Sequence, residues 1–218
     1  MLLPNDTQHH AIFGTNGSGK TVWAAYMLSG RSFHRMPWIA IDSKRDPLIA
    51  QIPGLEEIGV DARLPRSRGL YCIRPDPDDF ESGAVSAFLT RAWQRENIGL
   101  WIDEGYAFKP TDRALQAILT QGRSKHTPAI VLAQRPAYVS HWLMSESTFF
   151  SVFYTPHPRD VDRLREWIPG DIRPEDLPPH HSYWYCRTSR ELHRFKPGPD
   201  EATILQIFAD RRVRRGWI

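Results

Sequence analysis

The chain has 218 residues, of which 41% are hydrophobic and 24% are charged, and its formal net charge is +3. This composition is typical of a globular protein and excludes a low-complexity or repetitive chain. No apolar run approaches the roughly 20 residues that span a bilayer, and the start lacks a secretory signal pattern, so we expect neither a membrane span nor export. Two distant cysteines, Cys72 and Cys186, are typical of reduced thiols in the cytoplasm.

Short apolar runs alternate with segments of helical periodicity from the start of the chain to Gly170. Helices are predicted within 20–30, 81–97, 111–123 and 158–170, and strands within 10–14, 37–46, 69–76, 98–108, 127–136 and 147–155. Thr111 and Asp112 are placed to cap the third of these helices. Apolar strands that alternate with helices predict an α/β fold, in which a mostly parallel sheet is covered on both faces.

The character of the chain changes after Gly170. A proline-rich connector is followed by a predicted hairpin at 182–197, which turns at Thr188-Ser189, and by a predicted helix at 199–210. This part is too small for a core of its own, so we expect one domain over 1–218, with a core of about 9–168 and an extension of about 169–218. The arginine-rich end, RRVRRGWI, is either a solvated face or a contact for a polyanion.

The segment GTNGSGKT matches the phosphate-loop pattern G-x-x-x-x-G-K-[ST], between a predicted strand and a predicted helix. Glycines let backbone N–H groups turn inward around a phosphate, and the helix aims its amino end at the anion. The lysine reaches the β- and γ-phosphates, and the threonine hydroxyl is a ligand for Mg²⁺. The alternative is a glycine-rich turn with an idle lysine. The predicted nucleotide-binding residues are Gly14, Thr15, Asn16, Gly17, Ser18, Gly19, Lys20 and Thr21.

Two acids end the predicted strand IGLWIDEGY. Ligands of open α/β sheets bind at the carboxyl ends of strands, so these acids face the phosphate site. We expect Asp103 to bind Mg²⁺ and Glu104 to act as the general base toward a water molecule. The alternative is a strand-end turn with two solvated carboxylates.

Gln134 and an arginine complete the candidate catalytic set. Gln134 ends the strand AIVLAQ and is expected to sense the γ-phosphate. Arg123 and Arg135 compete for the role of an arginine finger, which stabilises transition-state charge and often comes from a neighbouring subunit. We favour Arg123, while a surface arginine or a helix cap remains the alternative for each.

These motifs together resemble the FtsK–HerA superfamily of DNA-pumping ATPases. The phosphate loop, WIAIDSKRD with Asp42, Ser43 and Lys44, GLWIDEGY, and QGRSKHTPAIVLAQRP are similar to the family's signatures and stand in the same order, from about His9 to Trp167. The phosphate loop is common to many families. The Asp-x-Lys strand end combined with Gln-Arg-Pro is more specific.

The resemblance implies a RecA-like P-loop NTPase of the kind that packages viral genomes, with ATP and Mg²⁺ as cofactors. It also implies a homo-oligomeric ring, expected to be a hexamer, that threads double-stranded DNA at a capsid or portal vertex, in the host cytoplasm or on the virion. Lys20 and Thr21 then bind nucleotide and metal, Asp103 binds Mg²⁺, Glu104 activates water and Gln134 is the sensor. The segment after Gly170 matches loosely and carries no family role.

Two other functions remain open from the sequence. A P-loop phosphotransferase would need an acceptor pocket and an arginine-rich lid, and the glutamate after the metal aspartate argues against it. A filamentous-phage-type export ATPase would move protein, and its relatives carry a membrane anchor. Arginines at 63, 66 and 68, with Lys44 and Arg45, are candidates for contacts with a DNA backbone.

Overall fold

The computed structural model describes residues 3–214, with all side chains of that range except those of Tyr106 and residues 212–214. Within this range the strands are β1 (His10–Phe13), β2 (Pro37–Asp42), β3 (Leu55–Glu57), β4 (Gly69–Ile73), β5 (Gly99–Asp103), β6 (Ala129–Ala133), β7 (Phe149–Val152), β8 (Ser182–Cys186) and β9 (Glu191–Phe195). They form a single sheet in the order β3-β4-β2-β5-β6-β1-β7-β8-β9.

The strands from β1 to β7 pair in parallel, whereas β7-β8 and β8-β9 pair antiparallel. The predicted α/β fold with a mostly parallel sheet is therefore confirmed. β1 lies between β6 and β7, so the loop that follows β1 leaves the middle of the sheet at its carboxyl edge. Ligand sites in open α/β sheets lie at this edge.

Helices cover both faces of the sheet. They are α1 (Lys20–Ser29), α2 (Pro47–Gln51), α3 (Pro77–Glu81), α4 (Ala84–Arg95), α5 (Arg113–Gln121), α6 (His141–Glu146), α7 (Pro158–Arg165) and α8 (Glu201–Arg214). The side chain of Asp112 accepts a hydrogen bond from the Leu115 N–H at the start of α5, as the sequence predicts. The short elements β3, α2, α3 and α6 were not predicted, because three to six residues carry too little periodicity to be recognised.

The core consists of two layers, one on each side of the sheet. Alternate residues of a strand point to opposite faces, so Ala11 and Phe13 of β1 join one layer and Ile12 joins the other. The first layer packs under α4, α5, α6 and α7, and the second packs under α1, α2 and α8. Trp38, Trp101 and Trp184 of the strands are fully buried in the second layer.

The extension continues the same sheet. β8 pairs with β7, β9 pairs with β8, and α8 returns over the face that α1 occupies. The predicted hairpin and final helix are thus confirmed. Among the described residues, no helix combines the length and the apolar character that a membrane crossing requires.

Candidate nucleotide-binding site

The glycine-rich loop joins the carboxyl end of β1 to α1. Gly14 has a φ of +152°, and a Cβ at this position would lie 2.6 Å from Cβ of Phe153 and 2.7 Å from Oγ of Ser18. Gly19 has a φ of +100° immediately before the helix. The first glycine is therefore required by close packing and the second by a left-handed backbone, which L side chains rarely adopt.

The ends of two other strands hold this loop in place. The Gly14 N–H donates to the carbonyl of Ala133, the last residue of β6, at 3.3 Å. The Thr15 N–H donates to the carbonyl of Tyr154, just beyond β7, at 3.0 Å. Because these strands flank β1 on either side, the loop is fixed to the centre of the sheet.

Lys20 is the first residue of α1, and its side chain folds back over the loop. Its Nζ donates to the Thr15 carbonyl at 2.7 Å, and the residue is only 6% exposed. Burial, reinforced by the nearby charge of Lys44, lowers the pKa of Lys20 to about 8. A neighbouring anion would stabilise the charged form of this buried ammonium group. Asn16, Gly17 and Thr21 line the same cavity.

Asp103 is the last residue of β5 and lies opposite Asp42 of β2 in the sheet register. It is 4% exposed, and its Oδ2 is buried without a hydrogen-bond partner among the described residues. Burial raises the pKa of Asp103 to about 6, against the opposing effect of Lys44, and the carboxylate of Asp42 adds to the increase. The side chain thus keeps one buried oxygen free of hydrogen bonds among the described residues.

Glu104 adopts a left-handed backbone with a φ of +82°, which carries the chain sharply away from β5. Its Oε1 accepts a hydrogen bond from Nε2 of Gln134 at 2.7 Å and forms an ion pair with Nζ of Lys44. Its Oε2 is buried and makes no hydrogen bond to any described residue. The structure therefore brings Glu104 and Gln134 together beside the phosphate loop.

Lys44 has a position that the sequence did not predict. Besides its ion pair with Glu104, its Nζ lies 3.4 Å from Oδ1 of Asn16 in the phosphate loop, so it belongs to this site. The sequence suggests Lys44 as a candidate contact for a DNA backbone, whereas the structure places its ammonium against Glu104 and the phosphate loop. The Asp-x-Lys pattern marks Lys44 in the sequence, but it does not reveal the partners of the lysine, Glu104 and Asn16, because they follow other strands.

Asp42 explains how Lys44 is presented. Its buried carboxylate accepts hydrogen bonds from the Asp46 N–H at 2.9 Å and from Nε of Arg74 at 3.3 Å. The first of these bonds closes a tight loop after β2, and Lys44 lies within that loop. Burial raises the pKa of Asp42, while both hydrogen bonds oppose the increase.

The two candidate finger arginines lie at opposite ends of the strands, Arg135 at the carboxyl edge of the sheet and Arg123 at the amino edge. Arg135 follows Gln134 at the carboxyl edge, where its Nε donates to Oδ2 of Asp160 at 2.7 Å. Arg123 follows α5 and is exposed, next to Gly122, whose Cα lies against the ring of His9 at the amino end of β1. Arg123 therefore lies about one strand length from the phosphate loop of its own chain, on the order of 13 Å.

The site opens into a cavity of about 570 Å³. Its walls include the phosphate loop, the first two turns of α1, Asp103 and Glu104, as well as residues 197–201 of the extension. A volume of this size falls in the range of roughly 300–1,000 Å³ that is typical of small-molecule sites.

Comparison with known proteins identifies a relative of nearly the same length. The DNA packaging ATPase P9 of Enterobacteria phage PRD1 is 38% identical to this chain over 217 residues, which cover 95% of each protein. The chain belongs to this phage DNA packaging ATPase family. No protein-family model matches the chain.

Solved structures share the fold of this packaging ATPase. The genome packaging NTPase B204 of Sulfolobus turreted icosahedral virus 2, in complex with sulfate, superposes with a TM-score of 0.69 at 17% identity, over 90% of this chain and 99% of B204. The same NTPase in complex with AMPPCP superposes with a TM-score of 0.64 at 18% identity, over 89% of this chain and 100% of the NTPase. The conjugation coupling protein TcpA of pCW3 gives 0.62 at 13% identity, over 94% of this chain and 66% of TcpA. The resemblance to genome-packaging ATPases is confirmed, and the chain is an ATPase.

Proposed function

We propose that this chain is a single-domain motor that hydrolyses ATP to drive double-stranded DNA into a viral capsid. One observation supports the proposal most directly. A buried carboxylate pair, Asp103 and Glu104, lies beside a complete phosphate loop in a chain whose relative in phage PRD1 is a DNA packaging ATPase.

The residues of the loop bind the triphosphate. The N–H groups of Asn16, Gly17 and Gly19 and the amino end of α1 surround the β-phosphate, and Lys20 contacts the β- and γ-phosphates. Lys44 adds a second cation at the same end of the cavity, near Asn16. The charge of the phosphates would also compete with Glu104 for Lys44.

Mg²⁺ fits the donor set at this site. Asp103 carries a buried, unpartnered oxygen, and the Thr21 hydroxyl lines the same cavity. Carboxylate and hydroxyl oxygens are the hard ligands that Mg²⁺ takes in phosphate sites. Thr21 and Asp103 would hold the ion, which neutralises the charge that develops on the phosphates during hydrolysis.

Glu104 takes the proton of the attacking water. Its free Oε2 is the acceptor, while the hydrogen bond from Gln134 to Oε1 fixes the orientation of the carboxylate. Gln134 directly follows Ala133, the end of β6, whose carbonyl accepts the hydrogen bond from Gly14, so Gln134 connects the base to the strand end that holds the phosphate loop. A glutamate held in this way suits hydrolysis, whereas a phosphotransferase excludes water.

The assembly completes the motor. We propose a hexameric ring in which Arg123 reaches the nucleotide of the neighbouring subunit, because in its own chain it lies at the opposite edge of the sheet. The exposed arginines at 63, 66 and 68 would contact the DNA backbone without reading bases. The ring would act at a capsid or portal vertex, in the host cytoplasm or on the virion.

Hydrolysis measured with and without duplex DNA tests the proposal. We expect ATP turnover that depends on Mg²⁺ and rises several-fold when long duplex DNA is added. Native mass measurement in the presence of nucleotide should show a closed ring. Hydrolysis that ignores DNA but responds to a secreted protein substrate would favour an export ATPase. Phosphate transfer to a small acceptor would favour a phosphotransferase.

A further inference from the structure

The cavity is larger than the phosphate-binding roles require. Beyond the phosphate loop it continues along α1 to residues 197–201, between β9 and the start of α8. Residues 197–201 are called the capping segment below. The resemblance to packaging ATPases carries no role for this part of the chain, so its place in the cavity calls for a function.

The capping segment is fixed to α1 by Trp23. A Cβ on Gly198 would lie 3.2 Å from the ring of Trp23, so the backbone of the segment lies directly on the indole. The indole itself is buried, packs against Phe195 of β9 and donates from Nε1 to Oγ of Ser151 at 2.8 Å. The segment is therefore held at a set distance from the helix.

Asp200 fixes the other end of the segment. Its Oδ1 accepts a hydrogen bond from the Thr203 N–H at 2.8 Å, and its carbonyl accepts from the Ile204 N–H at 3.0 Å. Both bonds begin α8, which packs against α1. The capping segment thus belongs to the folded extension and needs no ligand to take its place beside the cavity.

The two ends of the cavity differ in chemistry. Lys20 and Lys44 lie at the phosphate end together with Asp103 and Glu104, whereas Asp200 and Glu201, the charged residues of the capping segment, border the other end. Between them, Val22 and Tyr26 of α1 face the cavity from one side and Pro197 and Pro199 border it in the capping segment. Val22 and Tyr26 are four residues apart, so they lie on one face of the helix.

This distribution matches a nucleoside. A purine presents two flat apolar faces, which an aromatic ring and proline rings can cover. Ribose hydroxyls and an exocyclic amino group donate hydrogen bonds, and carboxylates accept them. The ring of Tyr26 is held by Trp23, whose centroid lies 5.6 Å away, so it forms a prepared surface.

We propose that the capping segment and the Val22–Tyr26 face of α1 form the nucleoside subsite of the ATP pocket, with Tyr26 as the residue that contacts the purine ring. This inference rests on the proposed function, because it assumes that a nucleoside triphosphate occupies the phosphate loop. It gives the extension a binding role in addition to its structural one.

Tyr26→Ala tests the subsite, with inorganic tripolyphosphate as a probe that has no nucleoside. Loss of stacking should raise the KM for ATP about tenfold and leave kcat within about twofold. The inhibition constant of tripolyphosphate should stay within about twofold of the wild-type value, since it reports the phosphate loop alone. Tyr26→Phe keeps the aromatic ring and should recover most of the ATP affinity that Tyr26→Ala loses. An unchanged KM for ATP, or an equal weakening of ATP and tripolyphosphate, would overturn the inference.

Gly198→Val gives an independent test from the other wall, in case Tyr26→Ala does not fold. The new side chain would displace the capping segment from Trp23 and should weaken ATP binding while sparing tripolyphosphate. Gly59→Val, in an exposed loop outside the cavity, is the matched control. Equal ATP affinity in both glycine variants would also contradict the inference.

The two proposals fail in different ways. Direct binding of ATP and tripolyphosphate by the wild type, measured by calorimetry, tests the subsite without hydrolysis. If ATP binds through Tyr26 but is not hydrolysed, the ATPase motor fails and the subsite stands. If ATP is hydrolysed with a KM that ignores Tyr26 and Gly198, the subsite fails and the motor stands.

Discussion

The Glu104 carboxylate lies between the ammonium of Lys44 and the amide of Gln134. The two partners hold one oxygen and leave the other free, which fixes the direction from which a proton can arrive. Nucleotide phosphates bound near Lys44 would compete with Glu104 for this ammonium.

Replacement of Glu104 by glutamine tests the base directly. Glu104→Gln keeps the size and one hydrogen-bond acceptor but cannot take a proton, so hydrolysis should fall by about 100-fold or more. ATP affinity should stay within about threefold of the wild-type value. Steady-state hydrolysis and equilibrium binding measure the two effects. Glu56→Gln on the exposed strand β3 is the control, and undiminished hydrolysis in Glu104→Gln would remove the role.

His9 makes stability depend on pH. It is 3% exposed, its Nδ1 accepts a hydrogen bond from the Ala129 N–H at 3.0 Å, and burial lowers its pKa to about 4. The unfolded chain binds a proton near pH 6.5 while the folded chain does not, so stability is lost as pH falls from 6.5 toward 4. At pH 5 this histidine should lower the free energy of unfolding by about 2 kcal/mol relative to pH 7.5.

Urea denaturation at both pH values measures this loss. In His9→Gln the amide oxygen can still accept the backbone hydrogen bond but does not titrate, so the difference between pH 7.5 and 5 should shrink by about 2 kcal/mol. His141→Gln, at an exposed position on α6, is the matched control. An identical pH dependence in wild type and His9→Gln would contradict the assignment.

At the scale of elements, the conformation of the phosphate loop requires its backbone to approach neighbouring side chains closely. Gly14 passes Phe153 and Ser18 with no room for a Cβ, whereas nothing lies within 4 Å of a Cβ on Gly17. The two glycines thus serve different needs, although the motif makes them look alike. The first allows the turn to reach the sheet, and the second supplies only a left-handed backbone.

Alanine at the two positions should separate these needs. Gly14→Ala should overpack the loop, lower the free energy of unfolding by about 1–3 kcal/mol and abolish ATP binding. Gly17→Ala should lower it by about 1 kcal/mol through backbone strain alone and retain measurable ATP binding. Urea denaturation and calorimetric titration give both quantities. Equal losses in the two variants would refute a special role for the close contact at Gly14.

For the whole molecule, the position of Arg123 decides whether catalysis needs a second subunit. The chain holds Arg135 through Asp160 at its own carboxyl edge, while Arg123 lies exposed near the amino end of β1. An arginine at that edge contacts a nucleotide only if another copy of the chain presents one to it. If Arg123 is the finger, as proposed, hydrolysis therefore needs a neighbouring subunit.

Mixing two inactive variants tests this arrangement. If Arg123 acts in trans, Arg123→Ala and Glu104→Gln subunits mixed in equal amounts should recover up to about a quarter of wild-type hydrolysis, because one interface in four combines intact groups. The same mixture with Arg135→Ala in place of Arg123→Ala should show no recovery. If only the mixture that contains Arg135→Ala recovers hydrolysis, the finger is Arg135. If neither mixture recovers hydrolysis, the finger arginine acts in cis.

The arginine-rich end of the chain, residues 211–218, is described only in part. The side chains of residues 212–218 lie outside the described residues, so the choice between a solvated face and a contact for a polyanion stays open for them. Arg211 is described, and it donates hydrogen bonds to the carbonyls of Ser29 and Arg31 at the end of α1. This arginine therefore anchors α8 to the domain.

The sequence alone determined the parts of this protein that depend on neighbours along the chain. The phosphate loop is one contiguous motif, the central strands are continuous apolar runs, and Asp103 and Glu104 end a strand in plain view. Local chemistry fixes each of these, because a glycine pattern or an apolar period needs no distant partner to be recognised. The hairpin of the extension was predictable for the same reason.

Only the tertiary structure decided which distant residues share the site. Lys44 and Gln134 meet at Glu104, although they are 60 and 30 residues away along the chain. The capping segment reaches α1 across more than 170 residues, and Arg123 lies at the amino edge of the sheet, opposite the phosphate loop. The order of strands places these groups, and that order follows from how two core layers pack, which periodicity along the chain does not encode.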